Sequence, residues 1–328
     1  MESKRCGKHQ FRDLWHARFA IAVAVVLFMM MTIASPASAI PFCSKTSNAA
    51  KIACLHEAET DFWIARGKCN NLSASRGTCK AAAHTVKKDD FQSCREQYTA
   101  RQDVCALLGQ APYDPAVNPA DFVDPAQIGG AVTPNPYFPL VAGTTRTYSG
   151  AGETITVTVT AQTKVIQGVT CRVVTDVVEV GGQVIEDTED WFAQDVQGNV
   201  WYFGEIAQDF VNGELVSIEG SWKAGVDGAK AGIVMKAPPV VGETYRQEFS
   251  LGNAEDVATV LSITATETSP FASCTGTCVQ TKDFTPLDPE AIENKYYAPG
   301  VGMILEVAVD ATGTPIPGTR VELISVTP

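Results

Sequence analysis

Asp190 and Glu205 are the residues of this chain best placed to do chemistry together. They flank Gln197-Gly198, a dipeptide suited to a tight hairpin turn that needs positive φ. With a two-residue turn, positions paired across it sum to 395, which sets Asp190 opposite Glu205. If the turn has three residues with Gly198 left-handed, the sum is 394. Glu189 then faces Glu205, and Trp191 faces Phe203. Either register gives Glu205 a carboxylate neighbour. Such a pair repels unless it shares a proton, which raises one pKa and permits general acid–base work, or binds a calcium-like cation. The plain alternative is that both carboxylates keep an exposed end of the sheet soluble.

The same pairing rule extends outward. Gly181-Gly182 and Asn212-Gly213 are further tight turns, with sums of 363 and 425. One face then reads Val169, Cys171, Val173, Phe192, Trp201, Phe203 and Trp222, with Asp190 and Glu205 in it. Phe192, Trp201, Phe203 and Trp222 would line a site for a small molecule or glycan. Parts for an enzyme are few. The chain beyond Asn135 has no histidine. It also has no Gly-x-Ser-x-Gly, no Walker loop and no His/Cys metal spacing. Asp195 to Asn199 is short for a calcium loop and reads as a turn. The sequence therefore favours a non-catalytic binding or envelope-associated protein with no cofactor beyond a divalent cation at Glu205 and Asp190. A carboxylate-dependent hydrolase or lyase using Glu205 with Asp190 or Glu189 is the enzymatic alternative.

Cysteines fix the elements ahead of this region. Cys43, Cys54, Cys69, Cys79, Cys94 and Cys105 are separated by 10, 14, 9, 14 and 10 residues. That spacing is symmetric, so folding the segment on itself pairs Cys43 with Cys105, Cys54 with Cys94 and Cys69 with Cys79. Ser44 to Lys68 and Lys80 to Leu107 read as helices, rich in Ala, Lys, Glu and Gln. Cysteines 11 and 15 residues apart stay near one helix face at about 100° per residue. Asn70 to Thr78 is the turn. An antiparallel hairpin this small buries little, and disulfide rungs would supply what its core cannot. The pattern resembles twin-cysteine helical hairpins of the coiled coil–helix–coil–helix type in shape, though not in spacing. His56 and His84 do not meet in this register and read as ordinary histidines. An envelope partner docking on the hairpin is a further functional reading.

The chain opens with a basic leader (Lys4, Arg5, Lys8, Arg12, Arg18), an apolar run from Phe19 to Ile33, and Ala37-Ser38-Ala39. This reads as a signal peptide over 1–39, with an uncleaved anchor as its alternative. No later stretch could span a membrane. Export and the cysteines together imply a secreted or periplasmic protein. Beyond the leader, 20 basic and 35 acidic residues remain, a net charge of −15. Residues 40–135 are balanced at ten of each sign, and 136–328 carry ten basic against 25 acidic. Such a surface repels nucleic acid and anionic lipid.

The domains expected are a Cys-rich hairpin over 40–108, a Pro-rich linker over 109–135 and an acidic β-domain over 136–328. Tyr113 and Phe122 would lay the linker along a surface. Glu153 to Thr160 alternates apolar residues with threonine, as a half-buried strand does. Ten to twelve antiparallel strands joined by short turns predict a meander curled into a half-barrel or barrel, giving an α+β fold. Cys274 and Cys278 can close a small disulfide loop. Cys171 is left as a buried thiol, or pairs with one of those two. Tyr137-Phe-Pro-Leu140 with Gly143 and Tyr148, then Asp190-Trp-Phe-Ala-Gln-Asp195 and Gly198 to Glu205, and finally Lys295-Tyr-Tyr-Ala-Pro-Gly-Val-Gly302 carry a resemblance. Over 137–310 they are similar to a β-domain of uncharacterised bacterial secreted proteins and lipoproteins, with Arg146 where that group has an aromatic. The resemblance implies fold and compartment and no particular activity.

Overall fold

The computed structural model describes residues 41–328. The leader expectations fall on residues outside that range. Two long helices, α1 (Phe42–Asn70) and α2 (Arg76–Leu108), form the antiparallel hairpin. Cys43–Cys105, Cys54–Cys94 and Cys69–Cys79 cross it as disulfides, with Cα–Cα distances of 5.6, 5.8 and 5.6 Å. The buried side chains are few: Ser47, Ala50, Ala58, Phe62, Ala83, Arg101, Val104 and some of the cysteines. So small a core leaves much of the stability to the rungs, each contributing about 2–4 kcal/mol. A fourth disulfide joins Cys274 to Cys278, and Cys171 is a buried free thiol whose pKa burial pushes up to about 12. These four cross-links fit an extracytoplasmic, oxidising compartment. Among the described residues no helix is long and apolar enough to cross a membrane.

Fifteen antiparallel strands follow: β1 (Thr145–Gly150), β2 (Glu153–Ile166), β3 (Val169–Val180), β4 (Gln183–Gln194), β5 (Val200–Val211), β6 (Glu214–Ser217), β7 (Trp222–Lys223), β8 (Lys230–Met235), β9 (Thr244–Arg246), β10 (Glu248–Phe249), β11 (Val257–Thr268), β12 (Ser273–Thr285), β13 (Asp288–Ala298), β14 (Gly302–Ala308) and β15 (Val321–Thr327). They form one sheet, ordered β10-β8-β5-β4-β3-β2-β1-β15-β14-β13-β12-β11-β9, with β6 and β7 beside β5. The ladder does not close. Its two edges, β9 and β10, are consecutive in the chain and separated by Gln247 alone. At this seam Gly232 of β8 lies under the crossing backbone, and a Cβ there would sit 2.2 Å from the Gln247 carbonyl oxygen. β-Bulges in several ladders bend the strands and curl the sheet around an interior.

The linker is part of the fold. Val123 donates to the Gln194 carbonyl and Val196 donates to that of Asp121, so this segment extends the β4 end of the sheet. Phe122 meets Trp201 and Phe203 edge-on, with ring centroids 5.9 and 5.5 Å away. Tyr113 donates to the Ala231 carbonyl. The hairpin is fixed as well. Arg101 of α2 forks onto Glu255 through Nε (3.1 and 3.0 Å) and Nη2 (2.7 Å), and both side chains are buried. Glu255 also accepts from the Gly252 amide at 2.8 Å.

Candidate functional site: a cavity inside the curled sheet

The hairpin turns behave locally as their residues require. Gly181, Gly182, Asn212 and Gly213 all adopt positive φ. Residues 195–199 join β4 to β5; the Asp195 amide donates to the Asn199 carbonyl, which leaves a three-residue turn with Gly198 at φ +93, and pairing near it follows the 394 register: Phe192 with Tyr202, Ala193 with Trp201. A bulge in β5 then inserts one residue, and Asp190 pairs with Glu205 after all. Gly204 makes this bulge. Its φ is +129, and a Cβ would lie 2.3 Å from the Trp222 carbonyl oxygen. Similar shifts displace the β3–β4 and β5–β6 ladders by one residue beyond their turns.

The expected single face is therefore two faces. Phe192, Asp190, Tyr202, Glu205 and Trp222 share the inner one, where Phe192 stacks on Tyr202 and Tyr202 meets Trp222 edge-on. Cys171, Val173, Trp201 and Phe203 alternate to the other face, where the linker covers Trp201 and Phe203. Glu189 is also on that side: it accepts from Trp191 Nε1 at 2.8 Å and lies 3.7 Å from Lys164 Nζ. Thus the structure joins Asp190, Glu205, Phe192 and Trp222, and separates Trp201, Phe203 and Glu189 from them.

Inside lies a cavity of about 290 Å³. Its wall is apolar, with Phe138, Leu140, Val157, Val159, Phe192 and Met303 among its members. Its floor carries Arg146, Asp176, Asp190, Asp283, Lys295 and Glu306. All three stretches that carry the sequence resemblance reach it: Tyr137 to Leu140, Asp190 with Phe192, and Lys295, Tyr297 and Gly302.

Burial dominates the electrostatics of the floor. It pushes Asp176 up to about 7, with Glu186 and Glu306 adding and Lys295 opposing. Glu205, next to Asp190 but not in the cavity lining, also rises to about 7, again chiefly by burial, while the nearby Tyr202 hydroxyl opposes. Asp190 is raised well above the carboxylate range; Tyr202 Oη donates to its Oδ1 at 2.5 Å. Glu248 behaves likewise and accepts from Trp222 Nε1 at 2.8 Å. Lys295 is raised despite burial, because Glu306 (3.1 Å), Glu293 (3.6 Å) and Asp283 (3.8 Å) surround it. The interior is rich in acids whose pKa burial raises, and Lys295 is the base set among Glu306, Glu293 and Asp283. Among the described residues no group of three or more His, Cys, Asp or Glu is arranged to hold a metal.

Sequence reasoning missed Asp176, Lys295, Glu306, Asp283 and Tyr202. A weak signal existed for Asp176: it keeps phase with Val174 and Val178, so an acid interrupts an apolar stripe. Glu293, two residues before Lys295 on β13, was the only local mark of that lysine; its other partners, Asp283 and Glu306, come from β12 and β14.

The fold defines an α+β protein with a curled antiparallel sheet, and its disulfides fit an extracytoplasmic one. No protein-family model matches the chain, and no curated protein does. Two solved structures are similar in part. One is a protein described as exported, with a YmcC-like fold, from Bacteroides fragilis NCTC 9343 (14% identity, TM-score 0.35, covering 58% of this chain and 99% of that one). Another is a protein described as a lipoprotein, from Parabacteroides distasonis ATCC 8503 (10% identity, TM-score 0.34, covering 60% and 100%). Likenesses of this size carry nothing about ligand or activity.

Proposed function

We propose that this chain is a non-catalytic, extracytoplasmic binding protein that holds a small ligand inside its curled sheet. The carrying observation is the cavity itself: about 290 Å³, lined mostly by apolar side chains with six ionisable ones, Arg146, Asp176, Asp190, Asp283, Lys295 and Glu306, among them. Few placed polar groups in an apolar hollow are the usual make-up of a ligand pocket. The neutral amphiphile 1-octanol tests this reading. It should raise the melting temperature of the wild type saturably, by the equivalent of about 2.7 kcal/mol at 100 times its dissociation constant. Val157→Phe and Val234→Phe, which each fill the cavity from a different strand, should abolish the rise. An equal effect on the variants and the wild type would reject the pocket.

The enzymatic alternative rests on the Asp190–Glu205 pair, now joined by Tyr202. It predicts that Glu205→Gln stops turnover of an extracellular polymer while leaving affinity intact. The binding reading predicts that octanol affinity alone is measurable, and unchanged. A hairpin-docking role for an envelope partner draws support from Trp63 and Ile64 on α1, which are 58% and 52% exposed.

A further inference from the structure

The hydrogen-bond state of the cavity floor says which head group that ligand carries. Both cations in the lining are already engaged. Arg146 donates from Nε to the Val301 carbonyl (2.9 Å) and from Nη2 to that of Pro139 (3.4 Å). Lys295 Nζ is ringed by Glu306, Glu293 and Asp283. Three of the four lining acids are engaged too. Asp190 accepts from Tyr202, Asp283 accepts from Thr281 Oγ1 (2.5 Å) and Gln247 Nε2 (3.0 Å), and Glu306 pairs with Lys295.

Asp176 differs. Its Oδ1 is buried and has no hydrogen-bond partner, and the residue lines the cavity. Buried polar atoms in native proteins are nearly always paired, and an unpaired one costs about 1–3 kcal/mol. The charged and titratable groups around Asp176 are Tyr148 on β1, Glu186 and Asp190 on β4, Lys295 on β13 and Glu306 on β14. Acids outnumber the single base, which is already shared. An anionic head would therefore find no free cation and would face an uncompensated carboxyl oxygen. A neutral donor would relieve one hydrogen bond. A cationic donor would relieve the same bond and the surplus of negative charge.

We propose that the pocket takes a primary-amine amphiphile whose ammonium group donates to Asp176. The inference rests on the binding reading above and deepens it. Size sets the body: at about 30 Å³ per water-sized group, 290 Å³ holds about ten non-hydrogen atoms. n-Octylamine, with an eight-carbon chain and one nitrogen, is a suitable probe.

Calorimetric titration of the protein at pH 8 with n-octylamine, 1-octanol and octanoate tests this. The amine should bind at least tenfold more tightly than the alcohol, and octanoate more weakly than either. Asp176→Asn should bring amine and alcohol to within about twofold, since the ammonium then meets a neutral carbonyl and loses its opposite charge, and an ionised partner makes a hydrogen bond roughly twice as strong as a neutral one. A second readout needs no variant. Near pH 7 the amine should displace a fraction of a proton from Asp176, seen as a heat that depends on buffer ionisation enthalpy, and octanol should not. Equal binding of amine and alcohol, an amine preference surviving Asp176→Asn, or no proton release each overturns the amine assignment and leaves the pocket standing. Binding of neither compound overturns both.

Discussion

Asp195 and Asp176 are two aspartates of the same curled sheet, and they are treated in opposite ways. Asp195 sits where β4 turns toward β5. It accepts from the amides of Gln197 and Asn199 (2.9 Å each), from Asn199 Nδ2 (2.7 Å) and from Trp201 Nε1 (2.8 Å). Asp176, on the cavity wall, has a buried oxygen that accepts from nothing. One carboxylate holds a turn together, and the other faces a space that a ligand can enter. A buried acid is thus informative through what it lacks, because satisfied acids are structural.

That contrast breaks most sharply at Gly204. The bulge it makes turns Phe203 to the linker side while keeping Tyr202 and Glu205 inward. Gly204→Val would drive a side chain into the Trp222 carbonyl, and should cost more than about 4 kcal/mol. Circular dichroism melts should show the loss, or no folded β-domain at all. Next comes Asp195→Ala, which strands four donors. We expect a loss of about 3 kcal/mol, a melting temperature lower by roughly 6–12 °C. Asp176→Asn should do the reverse at pH 8, raising stability by about 1–3 kcal/mol, since it removes a charge that burial disfavours.

The pH profile carries the same sign. Asp176 and Glu205 have folded-state pKa values raised to about 7, above their unfolded values. Between pH 4 and 7 the folded protein then holds more protons than the unfolded chain, so stability falls as pH rises through that window. Denaturant unfolding at pH 5 and pH 8 should show greater stability at pH 5, and Asp176→Asn should narrow the gap. The smallest effect belongs to Glu189→Gln on the outer face. Its side chain is 44% exposed, and the change should stay within about 0.5 kcal/mol.

What the sequence revealed, it revealed through local rules. The cysteine symmetry needs only helix geometry, and it is mirrored in the three rungs of the hairpin. Turn dipeptides located β3, β4 and β5, and a carboxylate opposite Glu205 was legible; that it is Asp190 rather than Glu189 depends on the Gly204 bulge, which no turn rule gave. The single aromatic face was not, because a bulge slips the β3–β4 ladder by one residue and the turn sets β4–β5 one residue off the two-residue register, and one such shift exchanges the two faces. Gly204 within a strand was the available hint. The cavity floor stayed hidden for a different reason. Asp176 meets Lys295 and Glu306 only when β3 and β13–β14 are brought together by the curl, and no local pattern encodes contacts at that separation.

Methyl NMR of the valines and methionines during a 1-octanol titration tests the central claim most directly. The account predicts saturable shifts at Val157, Val159, Val174, Val234, Val321 and Met303, the residues of the interior wall. Shifts confined to Val211 and Val216, exposed at the β5–β6 hairpin, would show that the ligand meets only the surface and would contradict it.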